Sequence, residues 1–191
     1  MQRVGIFGGS FDPIHLGHLL VAQAAREELE LSRLFFVPAA QSPFKPDRQI
    51  TPAAERLRLL RLALAGKDWC EIDEQEIQRG GVSYTIDTVR SYTARFAGVR
   101  LFYLIGGDHV EKLPQWREAD RLADLAEFVV IPRPGQVEVP FPAPFRGRQL
   151  IGFPLGVSSS QIRARVKAGS SIEHLVAPQV AEAIRNNRLY L

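Results

Sequence analysis

The chain has 191 residues, 46% hydrophobic and 24% charged, with 24 Lys and Arg against 21 Asp and Glu for a net charge of +3. That is the composition of an ordinary soluble globular protein, and its single cysteine, Cys70, excludes an intrachain disulfide framework and any Cys-rich zinc module. No apolar run is long enough for a membrane span, and the small basic excess is interleaved with acids rather than gathered on one run, which argues against a nucleic-acid binder and for attraction of small anions.

The N-terminus lacks a basic segment followed by an apolar stretch, so no signal peptide is expected and a cytoplasmic protein is. Arg3–Phe7 is a short apolar run stopping at Gly8-Gly9 and is expected to be a buried strand. Leu16–Leu29 has apolar residues at helical spacing, Leu34–Pro38 reads as a second strand, and Pro38–Pro46 as a proline-bounded loop. Thr51-Pro52 before Ala53–Ala65 predicts a helix with a threonine N-cap and proline at its first position. Cys70–Ile77 is expected to be extended, Thr85–Phe96 helical, and Val99–Ile105 a strand. A helical stretch at Pro114–Leu125 precedes a strand at Glu127–Ile131. Arg133–Arg148, with four prolines and no period, reads as a loop. Leu150–Phe153 reads as the last strand, before helices at Ser159–Ala168 and Pro178–Asn187.

Alternating strands and helices predict a doubly wound α/β fold, a mostly parallel open sheet with helices on both faces. No linker, repeat or composition break divides residues 1–191, so one domain is expected. In such folds ligands bind at the carboxyl ends of the strands, and the unusual residues collect there.

After the first strand comes Gly8-Gly9-Ser10-Phe11-Asp12-Pro13-Ile14-His15-Leu16-Gly17-His18. The glycines let the backbone approach a ligand, in a spacing that is neither the dinucleotide fingerprint nor a Walker A loop. His15 and His18 share one face of a first helical turn, where free N–H groups and the helix dipole attract anions. Three readings compete: helix capping, a zinc site completed by Asp12 or Asp108, and a polyphosphate donor cluster with Gly17 keeping access open. No third metal ligand is marked by spacing, and the anion reading is favoured. After the last strand, Ser158-Ser159-Ser160 reads as an N-cap cluster and second phosphate cradle, with Arg163 one turn on as a forked donor. Trp69 and Cys70 read as core.

These residues resemble the nucleotidyltransferase superfamily that carries His-x-Gly-His and a second signature Ile-Ser-Ser-Thr-x-x-Arg. Within it the chain looks most similar to the bacterial nicotinate mononucleotide adenylyltransferases. Pro38–Lys45, Ser83-Tyr84-Thr85-Ile86-Asp87-Thr88 and Gly106-Gly107-Asp108 with Leu113 and Trp116 match further segments in order. Two residues depart: Phe44 stands where histidine is usual and Ser160 where threonine is usual. The resemblance implies a Rossmann-like nucleotidyltransferase fold and transfer of AMP from ATP to nicotinate mononucleotide, a step of NAD biosynthesis. It implies His15, His18 and Arg163 as catalytic residues, Mg²⁺ carried on the ATP phosphates and no protein metal ligands. ATP would meet Gly8, Gly9, Ser10, Phe11, His15, His18, Gly106, Asp108, Ser158, Ser159, Ser160 and Arg163. The mononucleotide would meet Ser10, Lys45, Tyr84, Thr85, Trp116 and Arg133, with Trp116 stacking on the pyridine ring. No nucleic acid or membrane is expected as a partner, and a homo-oligomer is compatible with the sequence.

Overall fold

The computed structural model describes residues 2–41 and 50–191. Six strands form one sheet: β1 (Arg3–Gly9), β2 (Arg33–Pro38), β3 (Cys70–Ile72), β4 (Arg100–Gly106), β5 (Glu127–Ile131) and β6 (Gly147–Gln149). Their order is β3-β2-β1-β4-β5-β6 and every pairing is parallel. The helices are α1 (Leu16–Glu28), α2 (Ala53–Leu64), α3 (Gln75–Arg79), α4 (Thr85–Arg95), α5 (Ala119–Leu125), α6 (Ser159–Lys167) and α7 (Pro178–Asn186).

Strand side chains alternate between faces, so each central strand feeds two cores. Leu34 and Phe36 of β2, Phe102 and Leu104 of β4 and Val129 of β5 meet residues of α1, α2, α6 and α7. Phe35 and Val37, Tyr103 and Ile105, Phe128 and Val130 face α4 and α5 instead. A sheet covered on both sides needs the nearly continuous apolar strands seen in the sequence. The chain winds outward from β1 in one direction and from β4 in the other, so the reversal point lies between these two neighbours. Their carboxyl ends are Gly8-Gly9 and Gly106.

Four expected elements differ. The Cys70–Ile77 segment is extended only to Ile72, because the Asp73 carboxylate accepts from Gln75 N–H at 3.0 Å and turns the chain into α3. The helix expected at Pro114–Leu125 is two pieces: a 3-10 helix at Gly107–Gln115 and then α5. They are separated by Trp116–Glu118, with Glu118 left-handed at φ 53°. The last strand is Gly147–Gln149 rather than Leu150–Phe153. Leu150 is buried and its N–H donates to Val130 at 3.0 Å, but the Glu28 carboxylate then captures the N–H groups of Ile151 and Gly152 at 2.9 and 2.7 Å. A strand cannot continue once its donors are taken, and Ile151 is left 84% exposed. Finally, Pro52 rather than Thr51 occupies the N-cap of α2, with no side-chain cap bond.

Candidate active site at the carboxyl edge of the sheet

His15 is the N-cap residue of α1, and its backbone is extended there (φ −145°). Its Nδ1 accepts from His18 N–H at 3.3 Å, and His18 Nδ1 accepts from His15 N–H at 3.2 Å. The two histidines form a capping box with imidazoles in the roles usually taken by serine and glutamate. A ring nitrogen that accepts an N–H carries no proton, so each neutral imidazole has its proton on Nε2. Capping and anion binding, set against each other by sequence reasoning, are thus compatible: Nδ1 serves the helix and Nε2–H is left as a donor. The rings stack with centroids 3.7 Å apart. Burial pushes His15 down to about 4, and burial together with the charge of His15 holds His18 well below the ordinary histidine value. Both are neutral near pH 7.

Gly17 has a different reason from open access. A Cβ there would stand 3.0 Å from the His15 ring and 3.0 Å from Val157. The glycine lets the chain leading into α6 close against the head of α1. Phe11 is 1% exposed, its side chain packed against Phe7, Phe36 and His18 and its backbone left-handed at φ 46°.

The head of α6 docks on the same loop. Ser158 caps α6 in a box with Gln161, Ser159 Oγ donates to Pro13 O at 2.9 Å, and Ser160 Oγ accepts from Arg163 at 3.1 Å. Arg163 also donates to Asp12 O at 2.6 Å. The three serine hydroxyls are thereby engaged within the protein, and the N–H groups of the first α6 turn are what this segment offers an anion. The two signature segments, about 150 residues apart in sequence, share one place.

A cavity of about 470 Å³ opens beside them, bordered by Gly8, Gly9 and Ser10 of the β1 edge, Gly106 of the β4 edge, Thr85, Tyr103, His109 and Trp116, with Glu76 and Ser83 also in its wall. That volume suits a small-molecule ligand. Gly8 is required by the wall itself, since a Cβ would meet the Tyr103 hydroxyl at 2.5 Å. Trp116 is half-buried and presents its edge to Tyr103, His109 and Phe128 at centroid distances of 6.4, 5.8 and 6.0 Å. It stands in the break after the 3-10 helix rather than within a helix. Thr85 is the first residue of α4, with Tyr84 at the N-cap position and no side-chain cap bond. Tyr84 lies outside the cavity wall under the Arg117 guanidinium. Asp108 and Arg133 face each other at 3.7 Å beyond the ends of β4 and β5, both exposed and neither in the cavity wall. Lys45 and Phe44 lie outside the described residues.

Sequence reasoning passed over Arg56 and weighed Asp12 only as a zinc ligand. Arg56 is 1% exposed and donates to Thr51 O, Ser10 O and Ala39 O at 3.0, 2.7 and 2.9 Å. It clasps the loops after β1 and β2 to the start of α2. Its signal was an arginine in register with the buried Leu60 and Ala63 of α2, at a core-facing position. Buried Asp12 accepts from Tyr190 OH at 3.0 Å and from Thr51 N–H at 3.4 Å, contacts between chain segments that no local pattern announces.

A parallel sheet with a donor-rich helix start at its reversal point is the architecture of a nucleotide-handling transferase, and the comparisons agree. Residues 6–165 match the family described as Cytidylyltransferase-like. The chain is 38% identical over 192 residues to the "Probable nicotinate-nucleotide adenylyltransferase" of Opitutus terrae, covering 99% of this chain and 98% of that one. It is 42% identical over 198 residues to the protein of the same name from Thermomicrobium roseum, covering 100% and 92%. Its fold is similar to that of the Plasmodium falciparum nicotinic acid mononucleotide adenylyltransferase complexed with NaAD, with a TM-score of 0.75 at 17% identity, covering 100% of this chain and 98% of that one. The chain belongs to the cytidylyltransferase-like family and, within it, to the nicotinate-nucleotide adenylyltransferases.

Proposed function

We propose that this enzyme transfers AMP from ATP to nicotinate mononucleotide, releasing pyrophosphate and nicotinate adenine dinucleotide. The observation that carries the reading is the reciprocally capped histidine pair, two neutral Nε2–H donors held at the positive end of α1 beside a cavity of nucleotide-part size. The acceptor phosphate is already anionic, so in-line attack on the α-phosphorus needs no general base. What the protein supplies is position and stabilisation of charge on the transferring group and the leaving pyrophosphate. His15 and His18 donate from Nε2 to phosphate oxygens of ATP. Arg163 and the first-turn N–H groups of α6 hold the other side of the polyphosphate. Asp108 and Arg133, beyond the switch point, serve the nucleoside portion of ATP or the phosphate of its partner.

No group of three or more His, Cys, Asp or Glu among the described residues has the arrangement of a metal cage. The Nε2–H and amide N–H groups of this site are donors and do not ligate a cation, which suits Mg²⁺ held by the phosphate oxygens of ATP. Bound there, Mg²⁺ would neutralise charge on the triphosphate. The acceptor occupies the cavity, its pyridine ring against Trp116 and its ring carboxylate toward the N–H groups that open α4.

Pyrophosphate release, measured with ATP and, in turn, nicotinate mononucleotide, nicotinamide mononucleotide and phosphopantetheine, tests the reading. The expected result is turnover with the first and at least tenfold lower kcat/KM with the others. Turnover with phosphopantetheine alone, or with none, overturns it.

A further inference from the structure

We propose that Glu76 is a positioning residue of the acceptor site, its carboxylate fixing the Ser83–Thr85 entrance of α4 against Ala40 so that the first-turn N–H groups of α4 aim at the acceptor's ring carboxylate. The inference rests on the acceptor placement of the preceding section and names the group that maintains it.

Glu76 is 4% exposed in α3 and belongs to the cavity wall with Ser83, Thr85 and Tyr103. Carboxylates are rarely buried without donors, and Thr88 Oγ1 of α4 donates to this one at 2.5 Å, while the nearby Ser83 hydroxyl also favours its charged form. A serine hydroxyl has one proton. With that proton turned toward the carboxylate that it favours, Ser83 Oγ accepts from Ala40 N–H at 3.0 Å. Ser83 N–H in turn donates to Gln41 O at 2.9 Å, and Gln41 pairs with Val82 in an isolated parallel bridge. The carboxylate therefore sets the direction of a relay that joins the loop after β2 to the entrance of α4. On the other side, Thr85 Oγ1 reaches the Tyr103 hydroxyl at 3.4 Å, so the helix entrance is held between two fixed walls.

Burial raises the Glu76 pKa, and the Thr88 and Ser83 hydroxyls pull it back toward the charged carboxylate, the form that only accepts. In Glu76→Gln the amide NH₂ would face one of the two hydroxyls, and that hydroxyl would have to turn. Reversal at Ser83 removes the reason for its present orientation toward Ala40. Since the acceptor's ring carboxylate lies far from the reacting phosphorus, the loss should appear in acceptor binding rather than in the chemical step.

The test is steady-state kinetics on purified Glu76→Gln and Ser83→Ala, assayed well below each variant's unfolding temperature, with the unaltered enzyme alongside. The expected result for Glu76→Gln is a roughly 10-fold higher KM for nicotinate mononucleotide with KM for ATP within twofold. The preference for nicotinate over nicotinamide mononucleotide should narrow by a similar factor. Ser83→Ala should move the same constants in the same direction, and carries the test if Glu76→Gln does not fold. Unchanged acceptor KM in both variants would make Glu76 structural only. A lowered acceptor KM in Glu76→Gln would make it a like charge working against the acid, and either result overturns the proposal. If the unaltered enzyme itself rejects nicotinate mononucleotide, the functional reading fails first and this inference with it.

Discussion

At the scale of single residues, the histidine pair couples helix capping to substrate binding through one tautomer. Nδ1 of each ring is committed to a backbone N–H, which leaves Nε2–H as the donor. His18→Ala should lower kcat by about 100-fold or more, as for other lost charge-stabilising donors, with a smaller effect on KM for the acceptor. A normal kcat in that variant would remove the pair from the mechanism. The same geometry predicts a pH effect on stability. His15 is pushed down to about 4 in the folded protein, so between that value and its ordinary 6.5 the unfolded chain binds the extra proton. Stability is fully present above pH 6.5 and declines as the pH falls toward 4, by about 3 kcal/mol from this residue. Asparagine is a good N-cap that does not titrate. Urea denaturation of His15→Asn at pH 7 and pH 4.5 should therefore show a smaller loss than the unaltered protein. Equal losses in the two would contradict the assignment.

At the scale of elements, the site depends on where helices begin and break. The 3-10 helix at Gly107–Gln115 ends in extended backbone at Trp116 (φ −71°, ψ 149°), and this break brings the indole to the cavity wall. The same ring packs edge-on to Tyr103 and Phe128, so it has structural as well as binding consequences. Trp116→Ala should raise KM for nicotinate mononucleotide several-fold to tens-fold and leave KM for ATP nearly unchanged, since stacking is worth roughly 0.5–1.5 kcal/mol beyond burial. Its unfolding temperature should fall as well. A fall in unfolding temperature with both KM values intact would make Trp116 a core residue alone. The exposed Ile151 and Phe153 belong to this scale too: an apolar run that resembles a strand loses its backbone donors to Glu28 of α1 and ends outside the sheet.

At the scale of the whole molecule, the site is a junction of segments far apart in sequence. Arg56 binds carbonyls of the loops following β1 and β2 and of the residue before α2, while Arg163 and Tyr190 reach Asp12 from near the end of the chain. Arg56→Met keeps most of the side-chain volume but leaves three carbonyls without their donor. It should lower stability by on the order of 3 kcal/mol and raise KM for both substrates, because the β1 edge would no longer be held. Urea unfolding that differs by less than 1 kcal/mol would show that water replaces the guanidinium at little cost. Among the described residues no helix is long and apolar enough to cross a membrane.

The sequence by itself determined the four central strands and the edge at which they end. Short apolar runs ending in Gly8-Gly9 or Gly106, with helical periodicity between them, are local patterns, and strand period and helix period are properties of contiguous residues. His15, His18 and the serine cap of α6 were legible for the same reason, since a cap is written within four residues. What the tertiary structure alone decided were features set by partners distant in sequence. The strand at Gly147–Gln149 exists because β5 pairs with it, and Leu150–Phe153 fails as a strand because Glu28 takes its N–H groups. Gly17 is small because Val157 and the His15 ring press on it. The roles of Arg56, Glu76 and Asp12 became visible only once their carbonyl and hydroxyl partners were in place. A buried charge is stable only where folding brings its partners to it, and one-dimensional periodicity contains no record of that meeting.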